Sequence, residues 1–269
     1  MCSSDLAVKS GYAGATWDPA ELRARMAAAR RDLAVLGRPM KTLTPGQYRT
    51  WLTPSAVNEL LGLANGWGGF SARAIRTSQS PLLGLWEGRD RFSPLLTITE
   101  NAAGGVAPRF DEEGWIRPDH LALVTGGGPG APLVSSRSAR EYDLPANGAA
   151  GDEAGISLDV AAGDVADPAR ALDTGLWVGA LWYTNWSNRF AGRATGMTRF
   201  ATFWYEGGEP VAPVAAMRFD DSLYRTFGSE LVGLGRAREV QLSASTYFRR
   251  SSESAVLPGA LIGSFALTL

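Results

Sequence analysis

The chain has 269 residues, 45% of them hydrophobic and 20% charged, with a net charge of −1. These values fit a globular chain with a buried core. Acids and bases are mixed and no basic stripe is present, which argues against a nucleic-acid partner. No run approaches the roughly 18 apolar residues of a membrane span, so no membrane partner is expected. Thirty-two glycines, 15 prolines and nine tryptophans favour a turn-rich β architecture.

The first six residues, Met1-Cys2-Ser3-Ser4-Asp5-Leu6, match the read-through of a common sequencing adapter with a GTG start. Residues 1–6 are therefore expected to be a non-native leader. Cys2 is the only cysteine, so an internal disulfide and a thiolate metal cluster are ruled out.

A helix is expected after Asp18, which can cap, with Pro19 in the first turn and Glu21 at the capping-box position. Its apolar stripe is Leu22, Met26, Leu33 and Leu36, and Gly37 and Pro39 stop it. Residues 7–40 then read as a helical link to an N-terminal domain not represented in the chain. Gly46 to Thr53 alternates as a strand, and Thr53-Pro54 opens a second helix bearing Val57, Leu60 and Leu61. Leu95–Glu100, Leu121–Thr125 and Ile156–Val160 are short strand candidates.

Gly126-Gly127-Gly128-Pro129-Gly130 reads as a turn, because no Lys-Ser/Thr follows to complete a phosphate loop. The acids Asp111, Glu112, Glu113, Asp220 and Asp221 read as turn and surface groups, and Asp152 and Glu153 as a solvated loop. His120, the only histidine, reads as a surface residue ahead of a strand; Ser135, Ser136 and Ser138 lack the glycine pattern of a nucleophile elbow. Further on, Leu176–Thr184 is a strand, Phe200–Glu206 and Val211–Phe219 form a hairpin around Gly207-Gly208, and Ile262–Leu269 alternates as a final strand. The predicted fold is α+β: a large, twisted, mostly antiparallel sheet, with room to curl toward a barrel, and a few helices.

Several segments carry a family resemblance. The main one contains Leu181-Trp182-Tyr183-Thr184-Asn185, Gly192-Arg193-Ala194-Thr195-Gly196-Met197-Thr198-Arg199, Phe203-Trp204-Tyr205-Glu206 and Met217-Arg218-Phe219-Asp220-Asp221-Ser222. Pro45-Gly46-Gln47-Tyr48, Phe70-Ser71-Ala72-Arg73-Ala74, Arg137-Ser138-Ala139 and Asn147-Gly148-Ala149 extend it. Together they resemble the C-terminal region of the TldD/TldE (PmbA) metallopeptidase family, TldE type, over residues 41–269.

The resemblance implies what chemistry to look for. TldD-type members hold zinc through a helical His-Glu-x-x-x-His motif and a later cysteine. The corresponding positions here are Asn58, Glu59 and Leu63, so no catalytic residue, zinc or other cofactor is expected in this chain. The implied role is a metal-free TldE-type subunit, inactive alone and cytoplasmic, paired with a zinc-bearing TldD-type subunit that cleaves small or unfolded peptides. Trp182, Tyr183, Arg189, Arg193 and Arg199 are the candidate surface for partner or peptide, since interfaces favour aromatics and arginine. Each also has a plainer reading as core or intramolecular ion pairing. An exposed strand edge in this region would hold an extended peptide. The alternative is a non-proteolytic β-rich binding module using a Trp/Arg surface, which requires coplanar tryptophans on one open face.

Overall fold

The computed structural model describes residues 7–268 apart from 15, 112, 244–245 and 247–249. The proposed leader at 1–6, Glu112 and Leu269 thus lie outside the described residues.

The first helix, α1 (Pro19–Leu36), is capped by Asp18, whose carboxylate accepts the Ala20 N–H at 2.8 Å. β1 (Gly46–Leu52) leads directly into α2 (Pro54–Gly66), whose N-cap is Thr53. Two short helices, α3 (Ala72–Arg76) and α4 (Leu83–Trp86), precede β2 (Ile98–Glu100), β3 (Leu121–Thr125) and β4 (Gly128–Pro129). Then come α5 (Ser136–Tyr142), β5 (Ser157–Val160), α6 (Pro168–Leu172), β6 (Gly175–Val178) and β7 (Ala180–Asn188). β8 (Arg193–Arg199), β9 (Phe203–Glu206), β10 (Glu209–Pro213), β11 (Arg218–Ser222), β12 (Leu231–Leu242) and β13 (Ser254–Leu267) complete the chain.

These 13 strands make one sheet whose main path runs β10-β9-β6-β1-β13-β5-β2-β3-β4, with β12 and the series β11-β8-β7 attached at β13. The path is open and does not close into a barrel. Among the strands of the described residues, β1–β6 and β5–β13 pair in parallel and the other pairs are antiparallel. β13 is the hub. Ala260, Leu261 and Ile262 pair with Leu52, Trp51 and Thr50 of β1 and with Leu234, Gly233 and Leu231 of β12. Ser254–Val256 pair with β5, and Leu267 pairs with Phe219 of β11.

Strand alternation divides the core between the two faces of the sheet. Leu52, Ala260 and Ile262 face α2, where Val57, Leu60, Leu61 and Ala64 complete the larger cluster. Trp51 and Leu261 point the other way, toward Val35 and Leu36 of α1 and Leu172 of α6.

Several boundaries differ from those expected. Met26 and Leu33 of α1 are 49% and 52% exposed, because the helix joins the core through Val35 and Leu36 at its end instead. The Leu176–Thr184 strand is two strands broken at Gly179. A Cβ there would stand 2.9 Å from the Phe200 and Ala201 carbonyl oxygens. The hairpin turn Gly207-Gly208 is present, with φ of 61° and 81° as a two-residue turn requires. Its second strand ends at Pro213, however, and β11 pairs elsewhere, with β8. No helix among the described residues is long and apolar enough to cross a membrane.

Candidate functional site

α2, which carries Asn58, Glu59 and Leu63, and the aromatic strand β7 are far apart in sequence yet lie side by side. β7 runs along α2 and is tied to it at both ends. At the start, Thr53 donates its N–H to the Val178 carbonyl (3.1 Å) and its hydroxyl to the Gly179 carbonyl (2.8 Å). At the end, the Arg189 guanidinium sits 5.3 Å from the Trp67 ring centroid and donates to the Trp67 carbonyl (3.3 Å) and to that of Gln79. Between these anchors Glu59 faces Thr184 of β7.

Asn58, Glu59 and Leu63 are all half-buried on α2. Leu63 packs against the larger core cluster and offers no donor atom. One carboxylate and one amide do not fit zinc, which takes three protein ligands at a catalytic centre. Among the described residues, no three His, Cys, Asp or Glu side chains gather at one point. Burial raises the pKa of Glu59 above the usual carboxylate range, while Lys9 and the Thr184 side chain oppose that rise. On the same side of α2, a Cβ added at Gly62 or Gly66 would meet nothing within 4 Å, so the helix backbone there is open.

β7 is irregular where it passes Glu59. Between the Trp182–Met197 and Asn185–Thr195 pairs two residues of β7 oppose the single Gly196. This bulge places Tyr183 at φ 52°, a conformation that a bulky side chain adopts only under constraint. Tyr183 is 77% exposed and meets Trp182 edge to face at 72°. Phe200 and Ala201 also have positive φ, 48° and 34°. Three non-glycine residues in β7 and just after β8 thus carry constrained backbones, a feature that clusters at functional sites.

Arg199 stacks on Trp182 at 4.7 Å and on Phe200 at 5.2 Å. Arg193 turns instead to the outer face of β8, where it pairs with Asp220, which also accepts the Ser187 hydroxyl at 3.0 Å. The five predicted surface residues therefore divide: Arg199 stacks on Trp182 beside Tyr183, Arg189 joins the end of β7 to α2 at Trp67, and Arg193 pairs with Asp220. The other aromatics belong elsewhere. Phe203 and Tyr205 are buried, Tyr205 stacking on Trp177 at 5.2 Å, and Trp204 meets Tyr48 at 6.1 Å. β7 ends its branch of the sheet with one strand partner, β8, among the described residues, and so presents an edge.

The remaining sequence candidates resolve into structure. His120 is exposed at the start of β3. Asp111 accepts the Glu113 and Trp115 N–H groups in a turn, and Asp221 pairs with Arg225. Gly127 lies where a Cβ would stand 2.2 Å from the Phe92 carbonyl, so the glycine run is a tight turn against backbone.

Glu153 corrects the expectation of a solvated loop. It is fully buried and accepts the hydroxyls of Ser71 (2.6 Å) and Ser135 (2.8 Å) and the N–H groups of Arg73 (2.9 Å) and Ser135 (3.0 Å). Ser71 and Ser135 are the N-caps of α3 and α5, so one carboxylate joins two helix starts. Both partners are remote in sequence, and no local signal announces the role.

Known proteins agree with this architecture. The family model described as the PmbA/TldA metallopeptidase C-terminal domain matches residues 45–268. No curated protein matches the chain. Among solved structures, TldE from Thermococcus kodakarensis aligns with a TM-score of 0.74 and 14% identity, over 92% of this chain and 55% of that one. A protein from Thermotoga maritima, named as a candidate modulator of a DNA gyrase, aligns at 0.73 with 18% identity over 93% and 55%. A Bacteroides thetaiotaomicron protein of similar description aligns at 0.67 with 17% identity over 91% and 51%. The chain thus spans about half the length of these structures, and at such identities they speak for the fold. The match over residues 45–268 carries the assignment: this chain belongs to the PmbA/TldA metallopeptidase family, of which it contains the C-terminal domain.

Proposed function

We infer that the protein is a metal-free, TldE-type subunit that supports a zinc-bearing TldD-type partner in cleaving small or unfolded peptides in the cytoplasm. The observation that carries this reading is α2. It packs along β7, and the family resemblance assigns its Asn58 and Leu63 to the positions of the motif histidines. Glu59 alone cannot assemble a zinc centre. The open β7 edge and the bare helix backbone at Gly62 and Gly66 supply the room an extended peptide or a partner surface needs. The name of the Thermococcus kodakarensis structure, TldE, agrees with the subtype.

Co-expression with a His-Glu-x-x-x-His family member from the same source tests the reading. A stable complex is expected, with chelator-sensitive peptidase activity that the isolated chain lacks. Chelator-sensitive activity from this chain alone, or failure to form a complex with any such member, would overturn it. The alternative of a tryptophan-platform binding module gains no support from Trp182 and Tyr183, which meet at 72° rather than lying coplanar.

A further inference from the structure

Away from α2 and β7, a cavity of about 220 Å³ lies between α5 and the hairpin that precedes β3. The hairpin closes through the Phe110–Ile116 bridge, where the Arg117 N–H donates to the Arg109 carbonyl at 2.8 Å and the Asp111 N–H to the Trp115 carbonyl at 3.0 Å. α5 is fixed by Glu153, which accepts the hydroxyl of its N-cap Ser135. Glu113 of the hairpin accepts the hydroxyl of Ser136 on α5, so the two walls are joined. They also meet beyond Ala146, where a Cβ at Gly148 would stand 3.0 Å from the Arg117 Cα.

The lining combines three kinds of chemistry. Arg140 brings a guanidinium whose Nε donates to the Ser136 carbonyl at 3.3 Å; Glu141 pairs with Arg137 instead, and no carboxylate among the described residues pairs with Arg140. Glu113 brings a carboxylate that holds one hydroxyl and, among the described residues, no cation. Trp115, 48% exposed, forms an apolar wall with Ala139 and Ala146. Opposite charges thus border one cavity without pairing with each other, and each is open to a counter-charge from a ligand. Size narrows the choice. A cavity of about 150 Å³ takes a benzene-sized guest, and drug-sized ligands occupy about 300 Å³ or more. The guest that falls between them is about the size of one amino acid.

We propose that the cavity formed by Glu113, Trp115, Ser136 and Arg140 binds a free α-amino acid with an apolar side chain. Arg140 takes its carboxylate, Glu113 its ammonium, and Trp115 packs on its side chain. A simple anion meets repulsion from Glu113 and a simple cation meets it from Arg140, whereas a dipolar ligand satisfies both. The inference stands apart from the reading of α2, because none of these residues belongs to α2 or β7.

Calorimetric titration of the full chain with L-leucine, L-leucinamide and N-acetyl-L-leucine tests this. Leucine is expected to bind with a Kd of about 1 mM, the scale for a small ligand in a site open to solvent. Leucinamide lacks the carboxylate and N-acetyl-leucine lacks the ammonium, so each should bind about tenfold more weakly, the scale of one lost charge-assisted contact. R140Q should erase the preference over leucinamide, and E113Q the preference over N-acetyl-leucine. Both side chains are exposed, so neither variant should move the denaturation midpoint, which checks folding. Equal affinity for the three ligands would overturn the proposal. Preferences that survive both substitutions would overturn it too, because recognition would then lie elsewhere. So would the absence of saturable leucine binding up to about 20 mM. None of these outcomes bears on complex formation with a zinc-bearing partner, which the co-expression experiment tests separately.

Discussion

Glu153 and Glu59 are both carboxylates withdrawn from water, and the molecule treats them in opposite ways. Around Glu153, burial alone would raise the pKa. The Ser138 side chain beside it, the Ser71 and Ser135 hydroxyls and the N–H groups of Arg73 and Ser135 more than offset it and hold the group below its ordinary value. Around Glu59 burial wins, because only Lys9 and Thr184 favour the charge. The difference separates two uses of an acid. One is saturated with donors and joins α3 to α5; the other, half-buried on α2 facing β7, is left short of partners. A stability-driven fold has no reason to keep an under-satisfied carboxylate on α2, whereas a recognition site does.

The largest effect that can break this comparison is expected at Glu153. E153Q keeps the shape but replaces a carboxylate oxygen with an amide that repels the N–H donors around it. It should lower unfolding free energy by about 3 kcal/mol in urea or guanidinium titrations. The pH dependence has a definite sign. A depressed folded pKa means stability that is fully present above the ordinary value of 4.5 and lost as pH falls through the folded value. E153Q should therefore flatten the acid limb of the stability profile. An unchanged acid limb would show that Glu153 is no more satisfied than Glu59.

Next comes the bulge. Y183G removes the penalty of a left-handed non-glycine residue and should raise stability by about 1 kcal/mol. A loss of stability instead would mean that Tyr183 is held there by packing rather than constraint.

The smallest effect belongs to E59Q. The folded pKa is raised, so the benefit of protonation is present below 4.5 and lost as pH rises through the folded value. Removing the charge should therefore stabilise the protein slightly at neutral pH, by less than about 1 kcal/mol given solvent screening, with no gain below pH 4.5. A marked loss of stability at neutral pH would place Glu59 in the same structural class as Glu153.

Local chemistry made some elements legible in the sequence. Asp18-Pro19 and Thr53-Pro54 announce helix starts, Gly207-Gly208 announces a hairpin, and Leu121–Thr125 is bounded as expected. β12 escaped notice because Gly233, Gly235, Arg236, Arg238 and Glu239 interrupt any alternation, and its register with β13 shifts twice. The candidate site was half legible. Asn58, Glu59, Leu63, Trp182 and Tyr183 were reachable only through family resemblance, and their meeting across α2 and β7 depends on contacts between segments over 100 residues apart, such as Thr53 with Gly179 at a separation of 126. Glu153 was not legible at all, since its partner Ser71 lies 82 residues away. Pattern reading sees neighbours in sequence; donor saturation is a property of neighbours in space.

The position of β13 has a consequence for how the chain is made. This strand joins β1, β5, β11 and β12, and it is synthesised after all four. Until it emerges, its partners wait with unsatisfied edges, and the longest-range pairing of the sheet, Gly46 with Leu267, cannot form. Such a topology folds slowly and exposes β-edges to other nascent chains in the interim. An early helper, whether chaperone or partner subunit, therefore has its greatest leverage on this protein in the interval between the appearance of β12 and the arrival of Ser254.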